Sequence, residues 1–167
     1  AHGGARAVVL VLPVVALDGD AATSVAAAEL TDELITRLGA VPWLSVLSLC
    51  AARMIAGEPP DLPSLARQRH VTFAVEASLR HDAGGLRVNA RLIDAASSGS
   101  LWSDRLQTSA SEWPDLHAAL AGALVEAMLA ARSGASAAGA GLEPAGTAAA
   151  RGREIEVGEE EPTVGHA

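Results

Sequence analysis

Two carboxylates flank a glycine in Leu17-Asp18-Gly19-Asp20, and two more stand side by side at Asp32 and Glu33. Carboxylates in a turn suit a hard cation, but such a cation wants six to eight oxygen ligands and the turn offers few. Asp18 and Asp20 are therefore read first as turn-forming and helix-capping residues. Adjacent carboxylates on a helix point in different directions, so Asp32 and Glu33 are read as a solvated face rather than an acid–base pair. Asp18, Asp20, Asp32 and the neighbouring Thr31 remain the candidate ligand- or partner-binding residues of this half. An enzyme would have to build its site from Asp18, Asp20 and Asp32, with His70 as a further candidate.

The second half offers two arginines and a tryptophan. Arg87 and Arg91 share the polar face of the alternating stretch LRVNARLID. On a strand they can pair with Asp104 across the next turn or recognise an anionic partner. The chain has no Tyr, one Phe and three Trp, which makes Trp102 in SGSLWSDR conspicuous. Lying over the Arg91 side or covering the hairpin edge, it would act as a hydrophobic peg; contact with a partner is the alternative.

Other chemistry lacks its residues. No G-x-x-x-x-G-K-[ST] or G-x-G-x-x-G run would cradle a phosphate, and no G-x-S-x-G elbow presents a nucleophile. The histidines at 2, 70, 81, 117 and 166 show no zinc-ligand spacing. Cys50 stands alone, so an internal disulfide is impossible; among VLSLCAA it reads as small core filler. No cofactor is expected.

With 50% hydrophobic and 19% charged residues, the 167-residue chain has the composition of one globular domain rather than a disordered segment. A net charge of −8 argues against a nucleic-acid-binding surface. All twelve basic residues are Arg, read as compositional bias. No stretch reads as the roughly 18 uncharged apolar residues of a membrane span. A protein partner or self-association is the expected mode of action.

Several elements must position these residues. RAVVLVLPVV reads as a central strand covered on both faces and ended by Pro13. Ala27, Leu30, Leu34 and Leu38, with Ile35 beside them, form the apolar stripe of a helix that Gly39 stops, with a Glu33–Arg37 pair on its surface. WLSVLSLC is a second strand, parallel to the first. Asp61 caps a short helix to His70, with Pro63 in its first turn. VTFAVEASLR, LRVNARLID and SLWSDRLQT make an antiparallel meander turning at HDAGG and AASSG. A last helix runs from Ser111 or Pro114 to Arg132, with Leu116, Leu120, Leu124 and Met128 as its stripe. The parallel row Ala119, Ala123, Ala127 and Ala131 would let it approach the sheet closely. Residues 1–5 are expected to be a disordered extension, 6–134 the domain, and 135–167 a flexible Ala/Gly/Glu-rich tail.

The pieces VVLVLPVVALDGD, ELTDELITRL, VTFAVEASLR and LRVNARLIDAASSGSLWSDR occur in an order that resembles the TolB amino-terminal-like domain of bacterial regulatory proteins, over residues 6–132. The resemblance implies a three-layer α/β domain with a mixed five-stranded sheet in the order β-α-β-α-β-β-β-α, like anticodon-binding domains. It also implies a non-catalytic regulatory or protein-interaction module. Such modules accompany adenylate or guanylate cyclase, winged-helix or tetratricopeptide-repeat regions in bacteria, and the cytoplasm is favoured over the periplasm. A small-molecule sensor, its pocket at the carboxyl ends of the parallel strands, is the variant reading. Glu29 and Ala77 stand where the family has glycines, and Val14 where an aromatic is common. These departures bear on whether a family ligand site survives.

Overall fold

The computed structural model describes residues 6–47 and 61–134. Strand β1 (Ala7–Val11) leads through Pro13 to a two-residue strand β2 (Val15–Ala16), and then to helix α1 (Ala21–Gly39). Strand β3 (Leu44–Val46) and helix α2 (Leu62–Arg69) follow. Long strands β4 (Val71–Asp82), β5 (Gly85–Asp94) and β6 (Ser100–Thr108) come next, and helix α3 (Trp113–Arg132) closes the order after one 3-10 turn. The sheet order is β3-β1-β4-β5-β6, with β2 paired to β4 below the end of β1. β1 is parallel to β3 and β4, and β4-β5-β6 is an antiparallel meander. Among the described residues the sheet therefore has six strands rather than the expected five. The sixth, β2, escapes sequence reading because two residues carry no periodicity.

The unbroken apolar run of β1 is explained by burial on both sides. Val9 and Val11 enter the larger cluster with α1 and α3, while Leu10 enters a smaller one with Leu62 of α2. The sheet thus lies between two helix layers, thick on the α1/α3 side and thin under α2. On the thick side Leu30, Leu34 and Leu38 of α1 meet Leu120, Leu124 and Met128 of α3, over Phe73, Val75, Leu79, Val88 and Leu92 of the meander. The expected stripes are the buried faces of both helices. Of the alanine row, Ala127 and Ala131 pack half-buried against the core, whereas Ala119 is exposed and Ala121 is buried beside Leu120.

The ends of α2 follow local chemistry. Asp61 caps α2 through the Ser64 amide at 3.1 Å, and His70 closes that helix in the left-handed conformation, φ 57°. Gly39 is the last residue of α1, but the cap at Ala40 is right-handed, φ −79°, so the helix ends without using glycine's conformational freedom. The HDAGG turn is tighter than its five residues suggest, because His81, Asp82 and Gly85 belong to the strands. Gly85 holds φ 131°, and a Cβ there would strike the carbonyl of Thr108 on β6.

By length and hydropathy alone, Ala110–Arg132 is apolar enough to cross a membrane, although Asp115 and Glu126 keep it from being an uncharged span. Its apolarity has a packing account in this fold: Leu116, Leu120, Leu124 and Met128 are buried against the sheet and α1. Cys50 lies outside the described residues, as do the segments 1–5 and 135–167.

Candidate functional site

The acidic candidates of the first half do not converge. Asp18, directly after β2, accepts the His81 amide at 2.8 Å and the Thr23 hydroxyl at 3.2 Å. Those donors, the His81 amide foremost, hold its carboxyl below the usual carboxylate range. Asp20 occupies the N-cap position of α1 without a side-chain cap bond. The expected capping work therefore falls to Asp18 through Thr23. Asp32 is exposed and lies twelve residues further along α1, about 18 Å at 1.5 Å per residue. His70 precedes β4 whereas His81 lies near its end. Eleven strand residues separate the two, roughly 36 Å. Asp18 and His70 of the enzyme reading thus lie far apart.

Thr31 is structural. It is buried, its hydroxyl accepts the Val14 amide at 2.9 Å, and it donates to the Ala27 carbonyl at 2.8 Å. Pro13 ends β1 pairing one residue earlier, so the Val14 amide needs a partner outside the sheet, and α1 supplies it. Among the described residues no group of three or more His, Cys, Asp or Glu side chains is placed to hold a metal ion.

The arginines of β5 are differently partnered from the sequence expectation. Arg87 pairs with Asp82 and Arg91 lies 3.9 Å from Glu76, both acids on β4. Asp104 stands opposite Ala90, one position out of phase with the arginines, and so shares the core-side face. A half-buried carboxylate turned inward on the edge strand β6 discourages another strand from adding there. Trp102 is likewise corrected in direction. It stands opposite Leu92, not over Arg91, and packs half-buried against the main core. The peg reading is right in kind.

What the structure gathers instead is the other face of the meander. Glu76, Arg91 and Ser103 form one row across β4, β5 and β6; Ser78, Asn89 and Arg105 form the next; Arg80, Arg87 and Gln107 the third. Arg105 donates through Nε to Asn89 Oδ1 at 3.0 Å. At its margins lie Val15, opposite Ser78, and Leu17 by the same alternation; Leu101 lies on β6. All three are exposed. Helix α2 covers only the part of this face near Leu10, Ala74 and Ile93. The remainder is an open surface, net basic on an acidic chain, with apolar margins. Sequence reasoning found Arg87 and Arg91 but missed Arg80 and Arg105, which alternation in EASLRHD and LWSDRLQ would have placed beside them.

No family model matches the chain. It is 32% identical over 101 residues to "Putative adenylate cyclase 3" of Rhizobium meliloti, a match covering 60% of this chain and 17% of that protein. The fold is similar to the crystal structure of TolB from Acinetobacter baumannii, with a TM-score of 0.56 at 15% identity, over 75% of this chain and 29% of TolB. It is also similar to lipoprotein GNA1162 from Neisseria meningitidis, with a TM-score of 0.52 at 12% identity, over 72% of this chain and 97% of that one. The chain therefore spans a minor part of the cyclase and of TolB, and its described part has a TolB-like mixed α/β fold.

Proposed function

We propose that this chain is a non-catalytic interaction module of a bacterial regulatory protein, acting in the cytoplasm and binding a protein partner through the open face of the β4-β5-β6 meander. The observation that carries the reading is that face itself. It holds four arginines in register with polar residues, bounded by Val15, Leu17 and Leu101, where the opposite face of the same strands is fully used by the core. Exposed arginine beside exposed apolar side chains is the composition of protein contact surfaces. The likeness to an adenylate cyclase over 101 residues supports a regulatory setting, in which this module lies beside a catalytic region and adjusts it.

The test is retention of a partner from the native host by the purified chain, with Arg91→Glu/Arg105→Glu as the matched control of unchanged circular dichroism. Light scattering across a concentration series reports self-association through the same face. Loss of retention or self-association in the double variant supports the reading. Turnover of a substrate by the purified chain, abolished by Asp32→Asn with folding intact, overturns it.

A further inference from the structure

The charges of the described residues are unevenly divided. The helix layer carries Glu29, Asp32 and Glu33 on α1 and Asp115 and Glu126 on α3 against Arg37 and Arg132, and is net acidic. The opposite side carries Arg80, Arg87, Arg91 and Arg105 on the meander, with exposed Arg67 and Arg69 on neighbouring α2. Two acids stand within the meander face, and each is already engaged: Asp82 with Arg87, Glu76 with Arg91. Among the described residues Arg80 has no carboxylate partner, and Arg105 has only the neutral amide of Asn89.

The same chain contains a segment of complementary chemistry. Glu154-Ile155-Glu156-Val157-Gly158-Glu159-Glu160-Glu161 places five carboxylates and two β-branched apolar residues in eight positions. We propose that this segment docks in cis on the open face of the meander. Its carboxylates engage Arg80, Arg91 and Arg105, and Ile155 and Val157 lie against the exposed margin of Val15, Leu17 or Leu101. The inference rests on reading this face as a docking surface, and makes the segment an internal competitor for the partner.

Reach permits it. Helix α3 ends with the Arg132 guanidinium 4.8 Å from the ring centroid of Trp43, beside edge strand β3. From β3 to β6 the sheet is about 19 Å wide at ~4.8 Å per strand, and passing from the helix layer round the sheet adds ~10 Å. Residues 135–153, a run of mostly small residues, form the connection. A chain of that length has a contour limit of ~65 Å, well beyond the path required. Charge selects the face, because the helix layer repels a five-carboxylate segment while the meander attracts it. The inward Asp104 disfavours the nearest alternative, addition of the segment as a further strand on β6.

The experiment uses the whole chain carrying Cys50→Ser and Thr163→Cys, with a nitroxide on residue 163, and reads paramagnetic broadening of backbone amides. The expected result at ~50 mM salt is selective broadening at Ser78, Asn89, Ser103 and Arg105. It should be lost at ~0.5 M salt, where the Debye length falls to about 4 Å, and in Arg80→Gln/Arg91→Gln/Arg105→Gln. Uniform or absent broadening, or broadening centred on α1 and α3, overturns the proposal. So does equal broadening when isotope-labelled unspun chain is mixed with spin-labelled unlabelled chain, since the occupant is then a second copy. Partner retention is measured separately. If it is lost in the arginine variants while the selective broadening is absent, the docking surface stands and cis docking falls.

Discussion

Asp18 accepts the backbone amide of His81 at 2.8 Å across 63 residues of chain, and the same carboxylate oxygen takes the Thr23 hydroxyl. One side chain thus ties the start of α1 to the far end of β4. The donors depress its folded-state pKa, so its contribution is present above the unfolded value near 3.8 and is lost as pH falls through the folded one. We expect Asp18→Asn to lower Tm at pH 7 and to flatten the fall of Tm below pH 4, relative to the unsubstituted chain. Thermal melts from pH 2.5 to 7 check both; an unchanged acid limb would show that the bond carries no stability.

Thr31 provides the second prediction. Replacing its hydroxyl with a methyl leaves the buried Val14 amide unpaired, at a cost of about 1–3 kcal/mol. Thr31→Val should therefore destabilise by that amount in urea denaturation, and Thr31→Ser should recover most of it. Were Thr31 a ligand-binding residue instead, Thr31→Val would leave stability near that of the parent.

Residues whose burial follows from a repeat were legible before the structure. The Leu30/Leu34/Leu38 and Leu116/Leu120/Leu124/Met128 stripes, the two-sided burial of β1 and the capping of α2 by Asp61 follow from local periodicity and turn chemistry. The direction of Trp102 did not follow. It depends on the irregularity between Leu92 and Ile93, which sets Trp102 opposite Leu92 and moves Asp104 to the core side. One residue of register exchanges the faces of a strand, so the partners of Arg87 and Arg91 were out of reach of pattern alone. The apolar margin at Val15 and Leu17 was hidden for a related reason: its position depends on two residues of parallel pairing with β4.

His117 carries the third prediction. It is buried on α3, edge-on to Trp113 with centroids 4.6 Å apart, and its Nε2 has no hydrogen-bond partner among the described residues. Desolvation lowers its pKa from 6.5, opposed by Glu29 and Glu33 and reinforced by Arg37, all on α1. A depressed histidine pKa means that the unfolded chain binds the proton more readily. Stability is then full above about pH 6.5 and falls as pH drops toward the folded value. Tm should decline between pH 7.5 and 5, and His117→Leu should remove most of that decline. A pH-independent parent over this range contradicts the account.

The last prediction separates binding from folding on the meander face. Arg91 is exposed and 3.9 Å from its acid, and Arg105 meets only a neutral amide at the surface. Solvent-screened contacts of this kind contribute little, so Arg91→Gln/Arg105→Gln should shift stability by no more than about 0.5 kcal/mol. Arg87 differs. It is paired with Asp82 in a half-buried site and its Nε is enclosed without a partner, so Arg87→Gln disturbs the hairpin itself. If the face recognises carboxylates, the Arg91/Arg105 double variant loses two charge-assisted contacts and its partner affinity falls about tenfold or more. That affinity should also weaken with added salt in the parent and less steeply in the variant. Urea denaturation gives the first quantity and titration calorimetry across ionic strength the second. Equal affinities at equal stability would remove this face from recognition.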